Sequence, residues 1–178
     1  MNKSKKIKAL LMIVAGVALF FPGLVKAEDN VISLGVGGGG AFDSSGLVTF
    51  VEYERAMTDN LGLALRLAML SYEYDDGYYW EDGDGPGVQA TLRFYPSEAL
   101  KGFYLGGGTG IWLTEWDWAD YYGSGSGDSS SVEVHFDIGA RFGSKVLINP
   151  LAQVGYFVSS SAELGPYLFL GVAVGVPF

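Results

Sequence analysis

The 178-residue sequence has no cysteine, one histidine and only 17% charged side chains. Without cysteine the chain has neither a disulfide framework nor thiolate chemistry. It also lacks a long apolar run after residue 27, because no later stretch approaches the roughly 18 consecutive apolar residues of a membrane-spanning helix. What it contains in abundance is glycine, with 27 residues, and aromatic side chains, at 15%.

Basic residues are scarce once the N-terminus is set aside. Residues 1–27 combine four early lysines, an apolar run over 9–21 and small residues ending at Ala27, which predicts a secretory signal peptide cleaved after Ala27. The apolar run is too short for a membrane anchor, which needs about 20 residues. Five of the 11 basic residues fall in 1–27, so the remaining chain has six against 20 acids and a net charge of −14. This charge excludes nucleic-acid binding, and the length of 28–178 fits one domain.

Eight segments alternate in side-chain character with a period of two residues and are separated by turn signals, which predicts β-strands. Each is close to the ~9–11 residues that a tilted strand needs to cross a bilayer. The composition and this pattern leave two fold classes, a soluble all-β domain and a transmembrane β-barrel. The segments cover residues 31–42, 47–56, 60–72, 87–95, 102–114, 131–142, 145–157 and 166–178.

The alternation is clearest over residues 131–142, where apolar side chains from Val132 to Phe142 alternate with polar ones from Glu133 to Arg141. Residues 60–72 contain helix formers, but their leucines recur at every second position, which favours a strand. The last segment has bulky aliphatic side chains on one face and small or aromatic ones on the other. Neither of its faces is suited to bulk water.

The predicted connections are short at one end of the strands and long at the other. The short turns are MTDN, PSEALKG and GS, and the two longest connections are EYDDGYYWEDGDGP and EWDWADYYGSGSGDSS. The two long loops contain ten acids and no basic residue. The other basic residues of 28–178 fall at short turns or on the predicted inner face. None falls on the lipid face at mid-membrane, where each Arg or Lys would destabilise the barrel by about 2–4 kcal/mol. The tryptophans and tyrosines of the long loops are expected to form an interfacial girdle or a ligand surface.

The eight segments, stretches such as VEYERAMTDNLGLAL and LKGFYLGGGTG, and the terminal Phe178 resemble the small outer-membrane β-barrel superfamily over residues 28–178. The resemblance implies an all-β fold, an eight-stranded antiparallel up-and-down transmembrane β-barrel with both termini in the periplasm. It also implies contact with outer-membrane lipid and lipopolysaccharide, and a role for Phe178 as the signal for the barrel-insertion machinery. It implies little about activity, because one barrel fold serves many roles.

Charged side chains on the predicted inner face are expected to pair with one another. The interior of an eight-stranded barrel is just filled by side chains, and buried charges need partners. A structural ion-pair network is the main interpretation, and a polar path or a catalytic cluster is the alternative. The predicted network comprises Glu52, Glu54, Arg66, Arg93, Glu133, His135, Asp137 and Arg141, with Gln89 nearby in register.

An enzymatic function depends on His135, the only histidine. The lipid A deacylases of this fold resemble the chain in size and use a histidine, a serine and an acid, with the serine two residues after the histidine. Here His135 is followed by Phe136 and Asp137, so the expected nucleophile is missing, and neither Ser130 nor Ser131 replaces it. We therefore expect a protein that is not an enzyme and has no cofactor, with a lipid A-modifying enzyme as the alternative.

Two further motifs have simple structural interpretations. GVGGGG at residues 35–40 matches the dinucleotide-binding pattern G-x-G-x-x-G, but a turn and another strand follow it instead of the required helix. The loop DDGYYWEDGDGPG offers carboxylates to a hard cation such as Ca²⁺, although a solvated acidic loop is the simpler interpretation. The carboxylates of this possible cation-binding loop are those of Asp75, Asp76, Asp82 and Asp84.

The sequence thus predicts an outer-membrane protein with a structural or surface-interaction role through acidic, aromatic external loops. The ligand of those loops is not identified by any motif. A narrow channel for small or hydrophobic solutes, dependent on Arg66, Arg93 or Glu133, is the alternative function. A soluble lipocalin-like barrel is the alternative fold, and it would bury the aliphatic face and expose the polar one.

Overall fold

The computed structural model describes residues 29–40, 44–159 and 165–178, so the predicted signal peptide over 1–27 lies outside the described residues. Each strand pairs antiparallel with the next, and the last pairs with the first, which closes the sheet into a barrel. The described residues include no helix that is long and apolar enough to cross a membrane. The strands are β1 (Asn30–Gly40), β2 (Ser44–Ala56), β3 (Leu61–Asp75), β4 (Tyr79–Phe94), β5 (Gly102–Asp120), β6 (Ser124–Arg141), β7 (Leu147–Ser159) and β8 (Pro166–Pro177).

The outside of the barrel is apolar and the inside is polar. On β6, Phe136 is 71% exposed, whereas its neighbours His135 and Asp137 are 2% and 3% exposed. The same alternation runs along β8, where the aliphatic side chains expected to meet lipid all point outward. A soluble barrel would show the reverse arrangement, so the lipocalin-like alternative is wrong. The exposed aliphatic side chains of β8 are Leu168, Leu170, Val172, Val174 and Val176.

Glycines on β5 make room for the polar interior. Three inward positions of β5 are glycine, and each lies directly opposite a polar residue of β6 in the strand register. A Cβ atom at any of them would contact the side chain opposite. Because glycine has no side chain at these β5 positions, the large polar side chains of β6 have room in the narrow lumen. The opposed pairs are Gly106 with Asp137, Gly108 with His135, and Gly110 with Glu133.

The two ends of the barrel differ in the length of their connections. At the short-turn end, residues 57–60, 95–101 and 142–146 link the strands, and Asn30 and Phe178 lie at the same end. The Phe178 N–H donates to the Asn30 carbonyl at 2.9 Å. We call the opposite end the long-hairpin end.

The two long loops predicted for the long-hairpin end are largely strand, and that prediction was wrong in extent. β3 continues to Asp75 and β4 begins at Tyr79, while β5 continues to Asp120 and β6 begins at Ser124. β5 has 19 residues against 12 in β8, and β6 begins at Ser124 whereas its pairing with β7 begins at Ser131. The outer ends of β3–β6 therefore extend beyond β7 and β8, while β2 accompanies β3 as far as Tyr74. We call this projection the hairpin sheet. It comprises residues 71–75, 79–84, 115–120 and 124–128.

Candidate functional site

Arg93 is the centre of a buried ion-pair network in the lumen. Its guanidinium donates to both carboxylate oxygens of Glu52, at 2.6 and 2.9 Å. It also donates twice to Asp137 Oδ2, at 2.8 and 3.1 Å, and contacts Glu54. The guanidinium carbon lies 4.6 Å from the centroid of the Tyr104 ring. Arg93 is fully buried, so one cation joins carboxylates of β2 and β6 inside the barrel.

Arg141 and Tyr95 extend this network toward the short-turn end. Arg141 Nη2 donates to Glu54 Oε2 and lies 3.5 Å from Glu52 Oε1. The Tyr95 hydroxyl donates to the other oxygen of Glu54 at 2.6 Å. Glu54 is fully buried, and these donors together with Arg93 compensate for the loss of its hydration.

Arg66 extends the network toward the long-hairpin end. It donates to Glu52 Oε2 from two of its nitrogens, at 2.7 and 3.0 Å. Its Nη1 also donates to the side-chain oxygens of Gln89 and Gln153, at 3.0 and 2.7 Å. Arg66 lies on β3 and Gln153 on β7, so this contact crosses the lumen.

Glu133, His135 and Thr91 form the third part of the network. Glu133 accepts from Gln89, from Tyr167 at 3.0 Å and from His135 Nδ1 at 3.0 Å. Thr91 Oγ1 lies 2.8 Å from His135 Nε2. Nδ1 can thus donate to Glu133, and the Thr91 hydroxyl can donate to Nε2 or accept from it according to the ring tautomer.

The order of Thr91, His135 and Glu133 matches a hydroxyl–histidine–acid triad of hydrolytic enzymes. A triad needs a hydroxyl that can reach a substrate carbonyl. Thr91 is only 3% exposed and lies below the polar groups that end the lumen at the long-hairpin end. The geometry is therefore that of a satisfied buried histidine.

The network fills the lumen of the described barrel. Its charged members are at most 3% exposed. Its hydrogen bonds link β2 to β4, β3 to β7 and β6 to β8, so they cross the interior between different parts of the wall. The interior is therefore occupied by paired side chains at this level, as expected for eight strands.

A cavity of about 370 Å³ lies above the network at the long-hairpin end, and we call it the mouth cavity. Its floor consists of Arg66, Gln89, Glu133 and Gln153. One side of its wall is aromatic: the ring centroids of Trp112 and Phe157 are 6.3 Å apart, and those of Phe157 and Tyr167 are 4.8 Å apart. Tyr72 and Tyr74 continue this wall into the hairpin sheet.

The inward face of the hairpin sheet is also aromatic. Tyr72 and Tyr79 both donate to the Glu81 carboxylate, at 2.9 and 2.6 Å. The bond to Glu81 raises the pKa of Tyr79 to about 12. Tyr79 stacks on Trp118 with ring centroids 6.2 Å apart, and Trp118 and Trp116 both cover glycines of β6. Backbone pairing of β4 with β5 joins the two hairpins into one sheet, and the stack of Tyr79 on Trp118 adds a side-chain contact across that pair.

The outward face of the hairpin sheet is acidic. Glu73 on β3 lies directly opposite Asp82 on β4, and Asp82 lies directly opposite Asp117 on β5. Like charges in such positions destabilise a sheet, and the hairpin sheet contains no lysine or arginine to offset them. A second row of opposed acids consists of Asp84, Glu115 and Asp128.

Each hairpin tip is organised by one aspartate. Asp76 Oδ1 accepts from the backbone N–H groups of Tyr78 and Tyr79, at 2.9 and 2.8 Å, and these bonds lower the pKa of Asp76. Asp120 Oδ1 accepts two backbone N–H groups at the second tip, at 2.7 Å each. The turns thus hold three tyrosine side chains in solvent, at 86%, 91% and 94% exposure. They are Tyr78, Tyr121 and Tyr122.

The fold matches solved outer-membrane barrels, although no protein-family model and no curated protein matches the sequence. Ail, the attachment invasion locus protein of Yersinia pestis, superposes with a TM-score of 0.57 and 14% identity, over 84% of this chain and 97% of Ail. The N-terminal β-barrel domain of Pseudomonas aeruginosa OprF gives 0.55 and 16%, over 86% and 100%. Neisserial surface protein A gives 0.56 and 12%, also over 86% and 100%.

The chain has the fold of eight-stranded outer-membrane barrels. Its apolar exterior and its closed ring of strands are the two features that a transmembrane barrel requires, since lipid offers no hydrogen bonds to a free strand edge. Because the sequence identities are low, the similarity to these proteins is limited to the fold.

The structure places the predicted lumen residues, Phe178 and the glycine motif over 35–40 in different parts of the barrel. The eight residues expected in the lumen are all buried there and share the hydrogen bonds described above. Phe178 lies on the outer surface at the short-turn end, 54% exposed, with its ring 6.5 Å from that of Tyr53. Residues 35–40 belong to β1, which is followed by β2 and not by a helix, so they have no dinucleotide-binding context.

The four carboxylates of the expected cation-binding loop are not gathered into one site. Asp75 and Asp76 accept hydrogen bonds from backbone N–H groups of their own turn. Asp82 and Asp84 lie on the outward face of β4. Among the described residues, no group of three or more acidic or histidine side chains is arranged to hold a metal ion. The loop pattern suggested this site, but β4 begins at Tyr79, so Asp82 and Asp84 lie along the strand while Asp75 and Asp76 lie at the tip of the hairpin.

Several residues of the site escaped the sequence analysis. Gln153, Thr91 and Tyr167 join the network, and Trp112 forms part of the mouth cavity. One signal was present for Tyr167, because an aromatic residue on the small inner face of the last strand marks a wider part of the lumen. Five of the aromatic residues expected to form an interfacial girdle or a ligand surface face inward: Tyr72, Tyr74, Tyr79, Trp116 and Trp118.

Proposed function

We propose that this protein resides in the outer membrane and presents the hairpin sheet outside the cell as a recognition surface for a cationic protein partner. The predicted signal peptide and the outer-membrane barrel fold support this location. The observation that carries the proposal is the hairpin sheet itself, which combines ordered tips bearing exposed tyrosines with an outward face of opposed acids. No enzymatic activity is required for this role.

The two chemical features of the hairpin sheet have different functions in recognition. Tyrosine supplies a large amphipathic contact area with few rotatable bonds, which makes it effective at the centre of an interface. The acids attract a cationic partner and accelerate its association. A cationic partner would also relieve the repulsion within the row formed by Glu73, Asp82 and Asp117.

The charge of the hairpin sheet determines which class of ligand it can bind. Ail has been solved in complex with the heparin analogue sucrose octasulfate, a polyanion. The two hairpins here carry ten acids and no basic side chain over residues 73–86 and 115–130, so they would repel such a ligand. We therefore propose the opposite charge preference for this chain.

The proposal can be tested with a 20-residue poly-L-lysine peptide and the barrel in nanodiscs of zwitterionic lipid. We expect saturable binding that weakens as the salt concentration rises, and at least tenfold weaker binding for the triple variant Glu73→Gln, Asp82→Asn, Asp117→Asn. The control variant Asp59→Asn, Glu98→Gln neutralises acids at the short-turn end and should bind as the parent does. Equal loss in both variants, or no binding by the parent, would disprove the charge preference.

The tyrosines need a separate readout, because poly-lysine reports mainly on charge. A lysozyme probe is cationic and has a folded surface, so it can contact the tips as well as the acids. Replacing Tyr78, Tyr121 and Tyr122 with serine should weaken lysozyme binding while leaving poly-lysine binding within about twofold. If serine leaves lysozyme binding unchanged, the tips are not part of the recognition surface.

The remaining surfaces of the barrel suit a membrane role. We propose that the aliphatic exterior contacts outer-membrane lipid and lipopolysaccharide and that the insertion machinery binds the terminal strand through Phe178. The filled lumen favours a closed barrel over a channel for small solutes. Planar-bilayer recordings should accordingly show no stable conductance, and a stable conductance reduced by Arg93→Met would support the channel instead.

A further inference from the structure

We propose that the mouth cavity is a binding site for an uncharged small molecule that has an aromatic or aliphatic body and one terminal hydroxyl or carbonyl oxygen. The cavity is separate from the outward acids and exposed tyrosines on which the proposed recognition function depends. Its volume of about 370 Å³ lies within the usual range of small-molecule sites, roughly 300–1,000 Å³. A mainly apolar wall with a few polar groups at one end is the usual composition of such sites.

The wall of the mouth cavity selects the body of the ligand. Trp112, Phe157 and Tyr167 form a continuous aromatic cluster along one side, with Leu70 on another side. Trp112 is 3% exposed and its ring lies over Gly87, so the indole cannot tilt into the cavity and fill it without losing this contact. An apolar ligand would bury itself against these preformed surfaces without rearranging them.

Two buried polar groups at the base of the cavity are not fully satisfied among the described residues, and they select the end of the ligand. Ser131 is 2% exposed, and its hydroxyl has no hydrogen-bond partner among the described residues. The Trp112 Nε1–H lies near the Glu133 carboxylate, but it makes no hydrogen bond of ordinary geometry within the part of the chain that the structure describes. Trp112 and Ser131 are directly opposite each other on β5 and β6, and both line the cavity.

Unsatisfied buried donors and acceptors are costly, so a ligand oxygen that reaches both groups would gain binding free energy. One hydroxyl or carbonyl oxygen can accept from the Trp112 N–H and bond to the Ser131 hydroxyl at the same time. The strand register places Trp112 and Ser131 opposite each other in the wall of the cavity, which is where the ligand oxygen is proposed to bind.

The charges around the cavity exclude an ionic ligand. The floor charges are already paired, Arg66 with Glu52 and Glu133 with the donors Gln89, His135 and Tyr167. A ligand anion would be repelled by Glu133 at the floor and by Glu81 at the entrance. A ligand cation would have to displace one of the existing donors to reach the carboxylate of Glu133. An uncharged ligand meets neither obstacle.

Titration calorimetry with 2-naphthol tests this site, using the purified barrel in nanodiscs and empty nanodiscs for subtraction. We expect one saturable site. Ser131→Ala should weaken binding about three- to tenfold because one hydrogen bond is lost. The matched control is Ser33→Ala, which removes a buried inward hydroxyl on β1 that does not line the cavity, and it should leave binding unchanged. The anion 2-naphthalenesulfonate should bind at least tenfold more weakly than 2-naphthol.

A second variant, Leu70→Trp, fills the cavity and should abolish 2-naphthol binding. Loss of the heat-modifiable gel band would show that this variant does not fold. In that case the affinity of Ser131→Ala alone tests the proposal. The proposal is overturned if 2-naphthol shows no saturable binding beyond empty nanodiscs, or if Ser131→Ala binds as tightly as the parent. Equal affinity for the sulfonate would overturn the uncharged class. Poly-lysine binding by the same variants should be unchanged, so failure here is distinguishable from failure of the recognition function.

Discussion

Replacing Arg93 with methionine is the most direct test of how the lumen network stabilises the barrel. Methionine keeps much of the length and apolar stem of arginine but removes the charge and the five donors. The change deletes two hydrogen bonds to Glu52 and two to Asp137, together with the contact to Glu54. It leaves these carboxylates inside a lumen where they are at most 3% exposed.

The expected loss follows from which carboxylates keep a cation. Glu52 retains Arg66 at 2.7 Å, and Glu54 retains Arg141. Among the described residues, Asp137 has no other cation. Its Oδ2 accepts only from Arg93, and its Oδ1 has no hydrogen-bond partner there. Stranding one buried carboxylate costs about 3–5 kcal/mol. We therefore expect Arg93→Met to lower the free energy of unfolding by that amount.

Urea unfolding in phospholipid bilayers, followed by tryptophan fluorescence and by the heat-modifiable gel band, measures this loss. The control is Lys101→Met, which breaks the exposed ion pair with Glu98 and should cost at most about 1 kcal/mol. Adding Asp137→Asn to Arg93→Met should restore roughly 1–3 kcal/mol, because the stranded charge is removed. A loss for Arg93→Met no larger than that for Lys101→Met would refute the idea that paired charges stabilise this lumen.

Three further predictions concern packing, pH and insertion. Gly87→Ala should destabilise the barrel by roughly 1–3 kcal/mol, because a Cβ atom there meets the Trp112 ring, whereas Gly123→Ala meets open space and should be neutral in the same unfolding assay. The folded pKa of Asp76 lies below its ordinary 3.8, so its support of the hairpin tip is complete above pH 3.8 and is lost as the pH falls through the folded pKa. Amide NMR shifts at the tip should report this transition, and Asp76→Asn, which keeps an acceptor without a charge, should abolish it. Phe178→Ala should reduce the yield of heat-modifiable barrel in outer-membrane fractions, and an unchanged yield would contradict its role as the insertion signal.

The predicted strands agree with the structure where side chains alternate strongly, as over residues 131–142. The two long loops were predicted wrongly because their composition is that of turns. Gly85, Pro86 and Gly87 look like a break, yet the pairing of β4 with β5 keeps one register on either side of Pro86. Proline removes one donor, and tryptophans packed over glycines supply the cross-strand contacts that hold the hairpins in strand form.

The sequence by itself determined which residues share a face, because side chains in a strand alternate with a period of two whatever the strand packs against. That was enough to group the charges of the lumen and the aliphatic side chains of the exterior. Which partners meet was decided only by closure and register. Arg93 reaches Glu52 across 41 positions of sequence because closure of the barrel turns the inner faces of β2 and β4 toward the same lumen. Trp112 lies beside Ser131 because the register pairs these two positions of β5 and β6. Register is a property of the whole closed sheet, so the paired network and the mouth cavity exist only in the tertiary structure.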